Sequence, residues 1–155
     1  MDSQSLQAQL RLAIHFFNTS TAWLKEEDAA FAPVEGMFTA CQQVAHVAQT
    51  IDWFFEGAFG TGWDMDFAGH EAEARAICTV AEARAWLARA VESAVSRLEK
   101  KSAAELLEPL PEGGIMAGSP RGAVIGGIVE HTSHHRGALA VYARLRGKTP
   151  PMPYA

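Results

Sequence analysis

The residues with the clearest capacity for chemistry are the histidines of segment 131–137, HTSHHRG, towards the C-terminal end of the chain. His131 and His135 are four residues apart, so on an α-helix they lie on one face with Cβ atoms about 5–6 Å apart. Two imidazoles at this spacing can bind one metal ion. His134 lies beside that face. The spacing therefore predicts His131 and His135 as a pair of metal ligands.

The helix that carries this pair has an apolar stripe with residues at steps of three and four. The stripe consists of Val124, Ile128, Leu139, Tyr142 and Leu145, and His131 and His135 lie on it. Buried imidazole nitrogens need hydrogen-bond partners or ligands. Two histidines on an inward face are therefore costly unless something binds them.

A third ligand is expected from a facing helix, because bundle sites are built from side chains of different helices. The remaining histidines are His15, His46 and His70. His46 lies mid-helix among Gln, Thr and Trp, a mixture typical of a pocket lining. His15 is expected to bond a backbone carbonyl, and His70 to be solvated in a loop. Spacing alone leaves a metal site and an ordinary structural role open.

Four long amphipathic segments must position these residues. Helical periodicity and breakers predict helices over 3–27, 37–59, 79–101 and 119–146. Thr79 and Glu82 form a capping-box pattern at the third start. Segment 60–78 has no clear period and predicts a packed crossover loop. The chain is thus expected to be all-α, a four-helix bundle with a long crossover between helices 2 and 3, in a single domain 1–155.

Composition narrows the classes of partner. The 13 Lys and Arg against 18 Asp and Glu give a formal net charge of -5, with the cations scattered. This argues against nucleic-acid binding, which needs a concentrated positive face. Cys41 and Cys78 form no CxxC pattern, which favours a reduced intracellular protein. The expected protein is cytoplasmic and makes no membrane contact, because neither a leader nor an 18-residue apolar run is evident.

A family resemblance adds to this interpretation. Segment 131–139, HTSHHRGAL, and segment 142–151, YARLRGKTPP, together with His46 and the Val-Ala that follows it, resemble the DinB/YfiT-like family of metalloenzymes. The similarity extends over nearly the whole chain, with its specific motif confined to the fourth helix and His46. The resemblance implies a four-helix bundle that is often dimeric. It also implies a divalent metal ion, zinc or nickel, bound by His46, His131 and His135.

Three histidines and an open position are typical of a catalytic metal ion rather than a structural one. Families related by the resemblance include thiol-dependent S-transferases, so the first expectation is a metal-dependent enzyme that uses a low-molecular-weight thiol and a small-molecule substrate. A metal-dependent hydrolase comes second. The competing class is a non-catalytic metal-binding stress-response protein, and an accessible pocket at the metal would discriminate between them. The sequence names neither the substrate nor a catalytic residue.

Three further expectations concern the surroundings of the site. Glu130 is expected to be a solvated carboxylate, with an outer-sphere role as the alternative. Arg136 is expected to pair with a carboxylate of the crossover rather than with an anionic substrate. A homodimer is predicted from the resemblance and from the broad apolar faces of 37–59 and 83–98.

Overall fold

The computed structural model describes residues 2–154, and these residues form six α-helices and two short 3-10 helices, with no β-strand. The α-helices are α1 (Ser3–Ser20), α2 (Ala40–Phe59), α3 (Phe67–Ala76), α4 (Val80–Glu99), α5 (Ala103–Leu107) and α6 (Val124–Leu145). The 3-10 helices are Glu26–Asp28 and Arg121–Ala123. The all-α class is as predicted. None of the helices in this range is long and apolar enough to cross a membrane.

The four long helices, α1, α2, α4 and α6, pack side by side. Both α2 and α1 contact α4 and α6, which gives the order α1, α4, α2, α6 around the core. Fully buried side chains from all four helices fill the centre: Leu10, Phe17, Val44, Ile51, Phe55, Leu87, Leu98, Ile128 and Leu139. The apolar stripe of α6 is buried as predicted except at its end, where Leu145 is exposed.

Helix starts follow local hydrogen bonding. The Thr79 side chain accepts from the Glu82 amide at the start of α4, as the capping pattern predicts. The second hydrogen bond of a capping box would run from the Thr79 amide to the Glu82 carboxylate. Here the carboxylate instead accepts from the Thr79 hydroxyl. The next two free amides, of Val80 and Ala81, instead donate to the carboxylate of Glu26. The turn after α1 therefore caps α4.

Three predicted helix bounds were too generous. The first helix ends at Ser20 rather than near residue 27, because Thr21 caps it with its amide and its hydroxyl both bonded to the Phe17 carbonyl. The second begins at Ala40 rather than residue 37, where Thr39 and Gln42 form a reciprocal capping box. The fourth helix begins at Val124 rather than residue 119, because Arg121–Ala123 before it form a 3-10 helix.

The prediction that segment 60–78 is a packed loop was wrong in part, because this crossover contains α3. Asp66 caps this helix by accepting from the Gly69 amide. Only Ala74 is buried on it, so its sequence has almost no apolar period. The short helix α5 was also missed, although Ser102 and Glu105 form a capping box there.

The crossover is fixed on α2 by aromatic packing. The Trp53 indole donates to the Asp64 carbonyl at 2.6 Å, and its ring lies 4.7 Å from that of Trp63 between centroids. Trp63 packs directly on the backbone of Gly57. A Cβ at that glycine would lie 2.2–2.5 Å from atoms of the Trp63 ring.

Gly57→Ala is therefore expected to destabilise the protein by about 1–3 kcal/mol, since Trp63 must move to admit the methyl group. Chemical denaturation measures the change. Gly137→Ala on α6 is the matched control, because a Cβ there meets nothing within 4 Å. This control should be stabilised by about 0.5–1 kcal/mol through the ordinary helix preference of alanine. Equal effects of the two substitutions would contradict the packing argument.

Candidate metal centre

Three histidines from two helices converge at one point in the bundle. His46 comes from the middle of α2, and His131 and His135 come from successive turns of α6. The Nε2 atom of His131 lies 3.3 Å from Nε2 of His46 and 3.1 Å from Nε2 of His135. One nitrogen from each ring can be chosen so that all three lie within 4.8 Å of one another. This geometry is compatible with a divalent metal ion.

The surroundings keep these imidazoles neutral. Burial, with smaller contributions from the neighbouring histidines, lowers the pKa of His131 to about 4 and that of His135 to about 3. Burial also lowers the pKa of His46. At neutral pH each ring therefore offers an unprotonated nitrogen, which is the form that binds a metal ion.

A chain of hydrogen bonds fixes the orientation of His135. The Gln43 side-chain amide donates to the Tyr142 hydroxyl at 3.2 Å, and this hydroxyl donates to the Phe38 carbonyl at 2.9 Å. The carbonyl oxygen of Gln43 thus faces His135 and accepts from its Nδ1. With the proton on Nδ1, the Nε2 lone pair of His135 points to the cluster.

The cluster lies at the edge of an open cavity of about 920 Å³. His46 and His131 line the cavity, whereas His135 lies behind them with 8% of its surface exposed. The side-chain oxygen of Thr50, another lining residue, is 3.4 Å from Nε2 of His131. A small molecule can therefore approach the cluster from the cavity, on the side of His46 and His131.

The histidines outside the cluster occupy varied places. His134 is exposed at the cavity, and α3 brings His70 and Glu71 to the opposite wall. His70 thus lies on a helix rather than in the expected loop. His15 is exposed, and the expected bond from its side chain to a backbone carbonyl is not found within residues 2–154.

The predictions for Glu130 and Arg136, both on α6, had different outcomes. Glu130 is exposed and lines the cavity. The expected partner of Arg136 was wrong: its guanidinium lies 5.9 Å from the Phe16 ring and 5.8 Å from the Tyr154 ring, on the other side of α6. No carboxylate within residues 2–154 forms an ion pair with it.

Sequence reasoning missed the roles of Gln43 and Tyr142. Gln43 was interpreted as pocket lining and Tyr142 as part of the apolar stripe, yet both bond in the chain behind His135. A polar side chain on the inward face of a helix was the available signal, since such a group needs a partner when buried.

The comparisons with known proteins agree with this architecture. No curated protein matches the chain. The family profile of the DinB superfamily matches residues 9–139, a range that extends from α1 into α6 and includes all three clustered histidines. The chain therefore belongs to the DinB superfamily.

Proposed function

We propose that the protein is a metal-dependent enzyme in which His46, His131 and His135 bind one divalent ion, zinc or nickel, and a low-molecular-weight thiol is a reactant. The observation that carries the proposal is the convergence of three neutral imidazoles, with the Nε2 atom of His131 3.3 Å from that of His46 and 3.1 Å from that of His135, at the edge of an open cavity. A purely structural ion would need no such access.

The donor set fits a divalent ion. Three neutral imidazoles leave at least one coordination position free, and His46 and His131 face the cavity from which it would be filled. When bound, such an ion would act as a Lewis acid that keeps a thiol deprotonated, or activates water, near neutral pH. The Nε2 atom of His46, 3.3 Å from that of His131, is the nitrogen of this ring that faces the cluster.

The chain's own residues would orient the reactants. Gln43 holds His135, and Thr50 lies beside His131, where its hydroxyl can bond a ligand at the cluster. The crossover covers one side of the cavity through Phe67 and His70 of α3, which limits entry of water.

Cobalt substitution tests the thiol reaction. With cobalt in the site, direct binding of a thiolate should produce a sulfur-to-metal charge-transfer band that strengthens as pH rises towards the thiol pKa. His131→Ala mixed with the same cobalt and thiol concentrations provides the blank, because this variant should not retain the ion. If thiols leave the spectrum unchanged from about pH 6 to 9, the result contradicts thiol transfer. Metal-dependent hydrolysis or a non-catalytic stress-response role is then the favoured function.

The hydrogen-bond chain gives a separate prediction. Gln43→Leu removes the acceptor of the His135 Nδ1 proton, and we expect zinc affinity to fall about 10–100-fold, as is usual for such outer-sphere partners. Tyr142→Phe leaves that acceptor in place and should cause a smaller loss. Competition titration with a chelating dye measures both. Unchanged affinity in Gln43→Leu would contradict the orienting role.

We further propose a cytoplasmic homodimer, but not through the faces predicted from the sequence. The large apolar residues of α2 and α4 lie mostly in the core, including Ile51, Phe55, Leu87 and Leu98. Exposed Leu12 on α1 and Val141 and Leu145 on α6 favour the α1 and α6 side as the contact. Light scattering over a dilution series should give twice the chain mass, and a monomer throughout would overturn this proposal.

A further inference from the structure

The cavity beside the histidines has walls that differ in chemistry. Aromatic rings of α2 and α3 line one side, namely Trp53, Phe54 and Phe67. Glu130, His131 and His134 of α6 line another. These walls favour a ligand with an apolar body of about the size of an aromatic ring.

Acidic residues, but no lysine or arginine, line the described part of the cavity. The two carboxylates are those of Glu71 and Glu130. Glu71 is already neutralised, because Arg75 donates to it at 2.7 Å. Arg75 also donates to the Gly36 carbonyl and lies over the Phe38 ring, so its guanidinium already has three partners.

Of the two carboxylates that line the cavity, Glu130 is therefore the one without an ion-pair partner among the described side chains. No cation of the described chain lies within ion-pair distance of it. It precedes His131 directly and stands one turn before His134 on the same helix. A ligand whose one end reaches the histidines can thus place a second group beside Glu130.

We propose that the cavity selects small molecules with an apolar body and a cationic amine, held by Glu130, and discriminates against those with a carboxylate or phosphate in that place. This inference rests on the proposed function, because the selected ligand is the reactant of the proposed metal site. Two physical terms act together. Glu130 attracts a cation and repels an anion. The aromatic rings of Trp53 and Phe67 in the lining also favour a cation that lies over a ring face.

Three probes that share a phenylethyl body test the charge preference on the metal-free protein: phenethylamine, 2-phenylethanol and 3-phenylpropionate. In calorimetric titrations at low salt, the amine should bind roughly five- to tenfold more tightly than the carboxylate, with the alcohol between them. The preference should shrink between about 20 and about 500 mM salt, as exposed charges are screened. Amide shifts of α2 and α6 residues locate the bound probe.

Glu130→Gln should remove most of the preference, and Glu130→Lys should reverse it. Glu92→Gln is the matched control, because Glu92 is an exposed carboxylate on α4 that lines a different groove. Equal binding of amine and carboxylate, tighter binding of the carboxylate, or no binding of any probe would each overturn the inference. Failure of the proposed function shows separately, as absence of stoichiometric metal in the unmodified protein.

Discussion

Replacing His131 or His135 by alanine is expected to abolish stoichiometric metal binding, and His46→Ala should do the same, whereas His134→Ala retains the metal. Each of the first three substitutions removes one of three converging nitrogens. Affinity should fall by more than the roughly 100-fold that loss of an outer-sphere partner produces. Metal analysis of protein purified without a chelating column measures the result.

His134 is the matched control because its side chain differs from that of His135 mainly in the direction in which it leaves α6. It is the adjacent residue on α6 and also lies at the cavity, but it is exposed and is not part of the convergent group. Its loss leaves the three Nε2 atoms where they are. Loss of metal in His134→Ala together with retention in His135→Ala would show that the ligand set is different.

The helix that carries the pair could be predicted from the sequence because the relevant signals are local. A spacing of four residues and an apolar stripe place His131 and His135 on the inward face of α6, and the structure has them there. The start of α4 could likewise be predicted from Thr79.

The contacts that complete the site are not local. His46 and His131 are separated by 85 residues, and Gln43 and His135 by 92, so no short pattern pairs them. Helix α3 escaped prediction because it packs through little more than Ala74, and its Phe67 is 56% exposed. The cavity wall formed by α3 could therefore not be predicted from the apolar periodicity of segment 60–78.

The second substitution with a large expected effect changes stability and is at Asp28, far from the histidines. Asp28, in the 3-10 helix after α1, is completely buried. Its carboxylate accepts from Lys148 at 2.6 Å, from Arg146 at 3.3 Å and from the Lys25 amide at 3.0 Å. The segment that follows α6 is thereby tied to the turn that follows α1.

Asp28→Ala is expected to destabilise the protein by about 3 kcal/mol, because it removes the acceptor of Arg146 and of the Lys25 amide. It also leaves Lys148 with only the exposed carboxylate of Glu27 to pair with in the described chain. The loss should lie at the low end for a buried pair, since Arg146 and Lys148 are partly exposed and water can solvate them. In thermal unfolding this corresponds to a fall in Tm of about 6–12 °C for a domain of this size.

Glu27→Ala is the control for this prediction, because Glu27 also pairs with Lys148, at 3.3 Å, but with its own side chain 73% exposed. An exposed pair contributes little, so its Tm should change by no more than about 2 °C. Similar losses in the two variants would contradict the role assigned to burial.

The pH dependence of the Asp28 effect has a definite sign. Burial raises the pKa of the Asp28 carboxyl, but the hydrogen bonds from Lys148, the Lys25 amide and Arg146 outweigh it and lower the pKa below its ordinary value. A depressed folded-state pKa stabilises the protein above the unfolded pKa of about 3.9, and this contribution is lost as pH falls below it. The difference in unfolding free energy between the unmodified protein and Asp28→Ala should hence stay constant from about pH 8 to 5 and shrink towards pH 3. A difference that grows on acidification would show that the carboxylate is not held in its charged form.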